Sequence, residues 1–337
     1  MPKQNFMARK HKFLSRAAIK ALISAAVLLL IVAILFIVNI FVPVKYLSSY
    51  LVLKNKGAKQ GTLRVRFVDV GFGDCTVVEL PDGKNMLIDG GDGRYANQLR
   101  IFKFLQKCNI NTIDYLICTS VKGEHCSGLT DILKYKTVKN IYMPYCPNSY
   151  INSSYRAFYT QAQKCGAKQI ISEYGVSVES DFGYSFSFLS PSVHTNSGGE
   201  YEELANNPEG KNVQNNASAV VWLEYAGTSL LFTGDITSSV EEKIVRGFEV
   251  GLYPQINPAD CNIIKLANHG HKDSSSSQFL SLFSPEIAVV SAGKSEGGYP
   301  SSQALSNAAN FVGDNLYLTK TYGTVTIEVT KSGYKVV

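Results

Sequence analysis

The sequence predicts an α/β (α+β) domain of two packed mixed sheets with helices outside, preceded by one N-terminal transmembrane helix. Three observations lead there: an uncharged apolar run near the amino terminus, many short β-rich segments with helices inserted singly, and hairpin signals near both ends of the remaining chain. The apolar run, Ala21 to Val42, has only Ser24 and Asn39 as polar interruptions. Its 22 residues, at about 1.5 Å of helical rise each, cover a bilayer core of roughly 30 Å. Pro43-Val44-Lys45 lacks the small-residue pattern of a cleavage site, so a retained anchor is expected. The division expected is a basic cytoplasmic tail over 1–20, an anchor over 21–43, a linker over 44–61 and one large domain over 62–337.

Charge orients that plan. Lys3, Arg9, Lys10, Lys12, Arg16 and Lys20 precede the span, and Lys45, Lys54, Lys56 and Lys59 follow it. The bias places the amino terminus inside and the large domain outside a cell membrane crossed once. The net charge of +6 is a membrane-orientation feature: residues 1–60 hold ten Lys/Arg and no acid, and the remainder holds 23 Lys/Arg against 27 Asp/Glu. That acidic remainder gives little support for general duplex binding.

Within the domain, Leu63–Val70 and Cys75–Leu80 read as strands around Gly71-Phe72-Gly73-Asp74, and Pro81-Asp82-Gly83-Lys84 turns into a third strand at Asn85–Asp89. Apolar residues at 99, 101, 102, 104 and 105 predict a helix over 95–107. Tyr115–Cys118 is a buried-strand run. The loop 119–128 leads into a helix at about 128–134, a strand at 140–143 and a helix over 151–164. A strand covers Phe182–Leu189, and the polar stretch 194–216 reads as a long loop. A hairpin around Ala226-Gly227 joins Ala217–Tyr225 to Thr228–Phe232; a helix follows from about Ser238. Cys261–Leu266 is a strand, Ser274–Ser277 could cap a helix through Gln278–Phe283, and strand, helix, strand and hairpin fill 286–330.

The loop Thr119-Ser120-Val121-Lys122-Gly123-Glu124-His125-Cys126-Ser127-Gly128 is the most informative stretch. With Asp69-Val70-Gly71-Phe72-Gly73-Asp74, Leu87-Ile88-Asp89-Gly90-Gly91, Asn215-Asn216-Ala217-Ser218, Thr233-Gly234-Asp235, Asn268-His269-Gly270 and Gly297-Gly298-Tyr299-Pro300, it resembles the metallo-β-lactamase fold. The branch it is similar to is the extracellular hydrolase-like domain of the ComEC competence family. The resemblance runs from about Val65 to Thr326 and implies a four-layer αββα sandwich. It also implies departures. Ser120 and Lys122 stand where two histidines are expected, Glu124 replaces an aspartate, Phe72 replaces a glutamine and Tyr299 a histidine.

In enzymes of this fold, metal ions acidify a water that attacks a phosphodiester or other ester. A neutral hydroxyl at Ser120 is a poor zinc ligand and an ammonium at Lys122 repels a cation, so one metal position is expected empty. Glu124, His125, Asp235 and His269 match ligand positions and could hold one zinc or manganese ion, with Asp235 as the candidate catalytic residue. The competing reading is a metal-free centre with hydrogen-bonded loop histidines and Asp235 as a helix cap. Asp69 and Asp89 are expected to fix loop backbones. Lys122 could replace a lost metal's charge, or bind an anion such as a phosphate together with the helix terminus at Ser274.

Three function classes follow: a membrane-anchored binding domain related to DNA uptake or the cell envelope, with nucleic acid, nucleotide or protein as partner; a mononuclear metal-dependent hydrolase (phosphodiesterase or nuclease); and a scaffolding protein. The seven cysteines lack CxxC spacing and are expected to be mostly buried thiols, with pairing possible in an oxidising compartment.

Overall fold

A computed structural model describes residues 15–41, 44–54, 57–146, 152–293 and 298–337, with side chains from 15 to 38 in the first of these. Most of the basic tail, Pro43, Lys56, Ile151 and Gly297 lie outside the described residues.

Helix α1 (Arg16–Phe41) carries a candidate span of 23 residues, Arg16–Val38, whose most apolar 18-residue stretch has mean hydropathy 3.3 and is not buried by protein. Among the described residues it is the one helix long and apolar enough to cross a membrane. The chain divides into a unit ending at Leu47 and a second unit, Ser48–Val337. The predicted linker therefore holds structure, a 3-10 turn over Val44–Leu51.

The second unit is built on two mixed sheets. The first runs β15 (Gly333–Val336), β14 (Val325–Thr330), β1 (Leu63–Phe67), β2 (Thr76–Glu79), β3 (Asn85–Ile88), β4 (Thr112–Ile117), β5 (Thr137–Met143) and β6 (Lys168–Ile171). It is antiparallel from β15 to β3 and parallel from β3 to β6. The second runs β13 (Leu316–Leu318), β12 (Ile287–Val290), β11 (Cys261–Lys265), β10 (Thr228–Phe232), β9 (Val220–Tyr225), β8 (Tyr184–Ser190) and β7 (Ser177–Glu179). Here β10 to β13 are parallel and β7 to β10 antiparallel.

Alternation decides which side chains meet between the sheets. Leu63, Val65 and Phe67 of β1 point inward with Val325, Ile327 and Val329 of β14, while Arg64 and Arg66 point outward to Glu79 and Glu328. From the second sheet come Phe186, Phe188, Val221, Leu223 and Phe232, with Phe67 and Phe232 rings 6.0 Å apart. Strands β10 to β12 carry consecutive apolar residues, Leu230–Phe232, Ile263-Ile264 and Ile287–Val290, because their other face is also covered. That cover is α8 (Ser238–Glu249), α9 (Ser277–Phe283) and α10 (Ser302–Val312), with Trp222, Leu231, Ile244, Phe279 and Ala308 among them. The first sheet carries α2 (Tyr95–Lys107), which buries Ile101, Phe102 and Leu105 at helical spacing, α4 (Leu129–Tyr135) and α5 (Ser153–Lys164). Single turns α3 (Gly123–Cys126) and α11 (Thr319–Tyr322) complete the set described so far.

Three readings change. The stretch 194–216 is not one loop: it carries α6 (Glu200–Asn206) and α7 (Val213–Asn216). Glu200 is buried there, accepting from Ser192 and pairing with Lys243, which turns a polar sequence into packed structure. Strands β6 and β7, half exposed at sheet edges, lack the apolar alternation that marks a strand. Asp235 is no helix cap, since α8 is preceded by Thr237. Cys75, Cys108, Cys118, Cys126 and Cys261 are free and buried.

Phe232→Ala should cost about 3–5 kcal/mol of unfolding free energy, whereas Phe182→Ala, 52% exposed, should stay within about 0.5 kcal/mol. Denaturant titration of the detergent-solubilised chain measures both.

Candidate functional site

The carboxyl ends of parallel strands from both sheets supply the site. Asp89 follows β3, and Thr119 to His125 follow β4; Asp235 follows β10, His269 follows β11 and Ser291 follows β12. Loop backbones pass very close there. A Cβ at Gly90 would lie 2.6 Å from the Leu129 amide nitrogen, which restricts that position to glycine. Asp89, Asn268 and His269 adopt φ of 61°, 48° and 53°, a left-handed conformation unfavourable to non-glycine residues and here gathered at one place.

Each imidazole is oriented from behind. Asp89 accepts the Thr119 amide at 2.7 Å and its hydroxyl at 2.6 Å, and its Oδ2 lies 2.8 Å from His125 Nδ1. A carboxylate only accepts, so His125 carries a proton on Nδ1. His269 Nδ1 lies 3.0 Å from the Ser291 carbonyl and is a donor for the same reason. Both Nε2 atoms then face Asp235 Oδ1, at 3.0 Å from His125 and 3.6 Å from His269. All three atoms are buried without an aligned hydrogen bond.

Lys122 closes the other side. Its Nζ lies 2.7 Å from Glu124 Oε1 and donates to Asp235 Oδ2 at 2.9 Å. Ser120 is fully buried, and its Oγ accepts the Lys122 amide at 3.4 Å. Behind the imidazoles, Lys265 Nζ lies 2.6 Å from Asp74 Oδ2, and Asp74 Oδ1 is 3.5 Å from His269 Nδ1.

Burial opposes ionisation of Asp235, but His125, Lys122 and His269 overcome it and hold its carboxyl well below the usual range. Burial likewise opposes charge on His125, and Asp235 with Asp89 reverse that, raising it well above an ordinary histidine. His269 is pushed down, chiefly by burial. Burial penalises the Lys122 ammonium, yet Asp235 and Glu124 raise its pKa.

The two halves of the centre answer a metal ion differently. Glu124, His125, Asp235 and His269 present ligand atoms within 4.8 Å of one another, and two imidazoles with carboxylates suit a single zinc ion. The half containing Ser120 and Lys122 does not fit a second ion, because its cation is already covalent.

Residues 68–294 match the Metallo-beta-lactamase superfamily. The chain belongs to that superfamily. Among curated relatives it is 25% identical over 253 residues to ComE operon protein 3 of Bacillus subtilis, covering 68% of this chain and 28% of that protein. It is 25% identical over 290 residues to Competence protein ComA of Neisseria gonorrhoeae, covering 86% and 36%. The chain thus spans about a third of those relatives or less. The metallo-beta-lactamase fold protein YhfI of B. subtilis is similar in structure at a TM-score of 0.46 and 10% identity, covering 77% of this chain and 98% of YhfI.

The structure brings together Lys122, Glu124, His125, Asp235 and His269 of this superfamily domain. Ser274 makes none of these contacts: its buried hydroxyl donates to the carbonyl of Ile236, next to Asp235. The adjoining Ser275 and Ser276 amides donate to the Glu241 carboxylate, so that helix terminus already holds an internal anion. Tyr299 and Phe72 pack edge to face at 5.5 Å, with Phe72 on the His269 ring at 4.8 Å. Asp74 and Lys265 were not among the sequence candidates. Their signal was a lysine inside the apolar run Ile263-Ile264-Lys265-Leu266, since a charge in a buried strand needs a partner.

Lys122→Met should leave Glu124 without its close counter-charge and Asp235 with the histidines alone. With 23% of the lysine side chain exposed, the expected loss is about 3 kcal/mol, the low end for a broken buried pair. Thermal unfolding in chelator should register it, and added zinc should recover part of it.

Proposed function

We propose that this chain is a single-pass, surface-displayed domain of the ComEC-like branch whose metal centre is degenerate. Its role is binding, connected with DNA uptake or the cell envelope, and not catalysis. One observation carries the reading: the Lys122 ammonium lies between Glu124 and Asp235, at 2.7 and 2.9 Å. Lys122 and the imidazolium of His125 put two positive charges on Asp235, so the centre is charge-compensated without metal. The same geometry weighs against phosphate at Lys122, whose charge is spent on two carboxylates. The names of the competence relatives support the DNA-uptake setting, α1 supports anchoring, and the Lys/Arg bias around it favours the large domain outside. A nucleic acid, a nucleotide or an envelope protein is the partner class, met through local contacts in an acidic domain.

A second reading has its own observation, the convergence of His125 Nε2, His269 Nε2 and Asp235 Oδ1 without hydrogen-bond partners. With Glu124 they would hold one zinc or manganese ion in a mononuclear hydrolase. The ion would supply an acidified water for phosphodiester hydrolysis. Asp89 and Ser291 would keep the two imidazoles oriented, and Asp235 would be the catalytic carboxylate.

Elemental mass spectrometry of the full chain, purified without a histidine tag and supplied with zinc or manganese, separates the two. The expected result is a folded protein with no stoichiometric ion and no chelator-sensitive phosphodiesterase turnover. One ion per chain, lost in Asp235→Asn and in His269→Ala and accompanied by turnover, would overturn the first reading and establish the second. Ser120→His with Lys122→His should gain an ion that the natural chain lacks.

A further inference from the structure

The two most exposed large apolar side chains on the described surface are Leu53, at 89%, and Leu51, at 83%. A single exposed leucine means little. These two are separated by one residue, follow the half-exposed Tyr50 and precede the exposed Lys54 and Lys59. Neither lysine is paired with an acid among the described residues. Leu51 also lies ten residues beyond Phe41, where α1 ends, and ten residues of extended chain reach at most roughly 33–36 Å. The 3-10 turn over Val44–Leu51 shortens that reach.

We infer that Tyr50 to Lys54 forms an interfacial membrane contact, with Leu51 and Leu53 in the outer acyl layer of the bilayer that α1 crosses. Tyr50 sits at headgroup depth, where a ring with one polar end is favoured. Lys54 and Lys59 face anionic headgroups, and the ten residues between Phe41 and Leu51, which keep the segment close to the span, favour that lipid surface over a second copy of this chain. The inference rests on α1 being a membrane span.

The test uses the full chain in lipid nanodiscs. Trp222 is the natural chain's single tryptophan and lies buried between β9 and α9, so the unaltered protein supplies the background. Leu53→Trp should emit at shorter wavelength than in water and be quenched about twofold by lipids brominated near the headgroup end of the acyl chain. Quenching should strengthen when phosphatidylglycerol replaces a zwitterionic lipid, and Leu51→Trp should behave alike. Leu30→Trp, within α1, reports insertion of the span. If Leu30→Trp is quenched by deeply brominated lipid while Leu53→Trp and Leu51→Trp emit as in water, the interfacial contact is overturned and the anchor stands. If none of the three is quenched, the anchor and the contact both fall.

Discussion

Packing carboxylates together at the edge of a two-sheet core is the constraint on which the rest of this domain depends. Asp74, Asp89 and Asp235 are almost wholly buried, and Glu124 is mostly so. Buried charges of one sign require counter-charges within contact distance. In this chain the counter-charges are covalent: Lys122 against Glu124 and Asp235, Lys265 against Asp74, and His125 between Asp89 and Asp235. Each belongs to a different strand or strand-following loop from the acid it meets, apart from Lys122 and Glu124. The electrostatics therefore joins the sheets as well as satisfying the site.

The architecture supplies the means. Parallel strands β3 and β4 in one sheet and β10 to β12 in the other all end on the same side of the centre. The apolar layer between the sheets, with Phe67 against Phe232, keeps those ends in register. Asp89 then orients one histidine and the Ser291 carbonyl the other.

Much of that was legible in the sequence. Hydrophobic alternation marks β1 and β14, continuous apolar runs mark the buried parallel strands, and the spacing in 95–107 matches α2. The motif order also pointed to Lys122 beside Glu124 and Asp235, a contact made between residues 113 positions apart. Illegible features share a physical cause: their stabilisation is tertiary. Helices α6 and α7 are short and polar, and α6 is fixed through Glu200 by Ser192 and Lys243. Edge strands β6 and β7 need few apolar residues. The terminus near Ser274 looked open because Glu241, which fills it, lies more than thirty positions earlier.

The cysteines carry a separate consequence. Burial raises the thiol pKa at Cys75, Cys118, Cys126 and Cys261, and at Cys108 to a smaller depth of burial. Oxidation and disulfide exchange proceed through the thiolate and need access to it. These five sulfurs are thus chemically quiet as well as unpaired. A fold held by sheet packing and internal ion pairs, with these five thiols buried, does not draw on them for a covalent cross-link. Those five positions therefore keep one covalent state in reducing and oxidising surroundings alike.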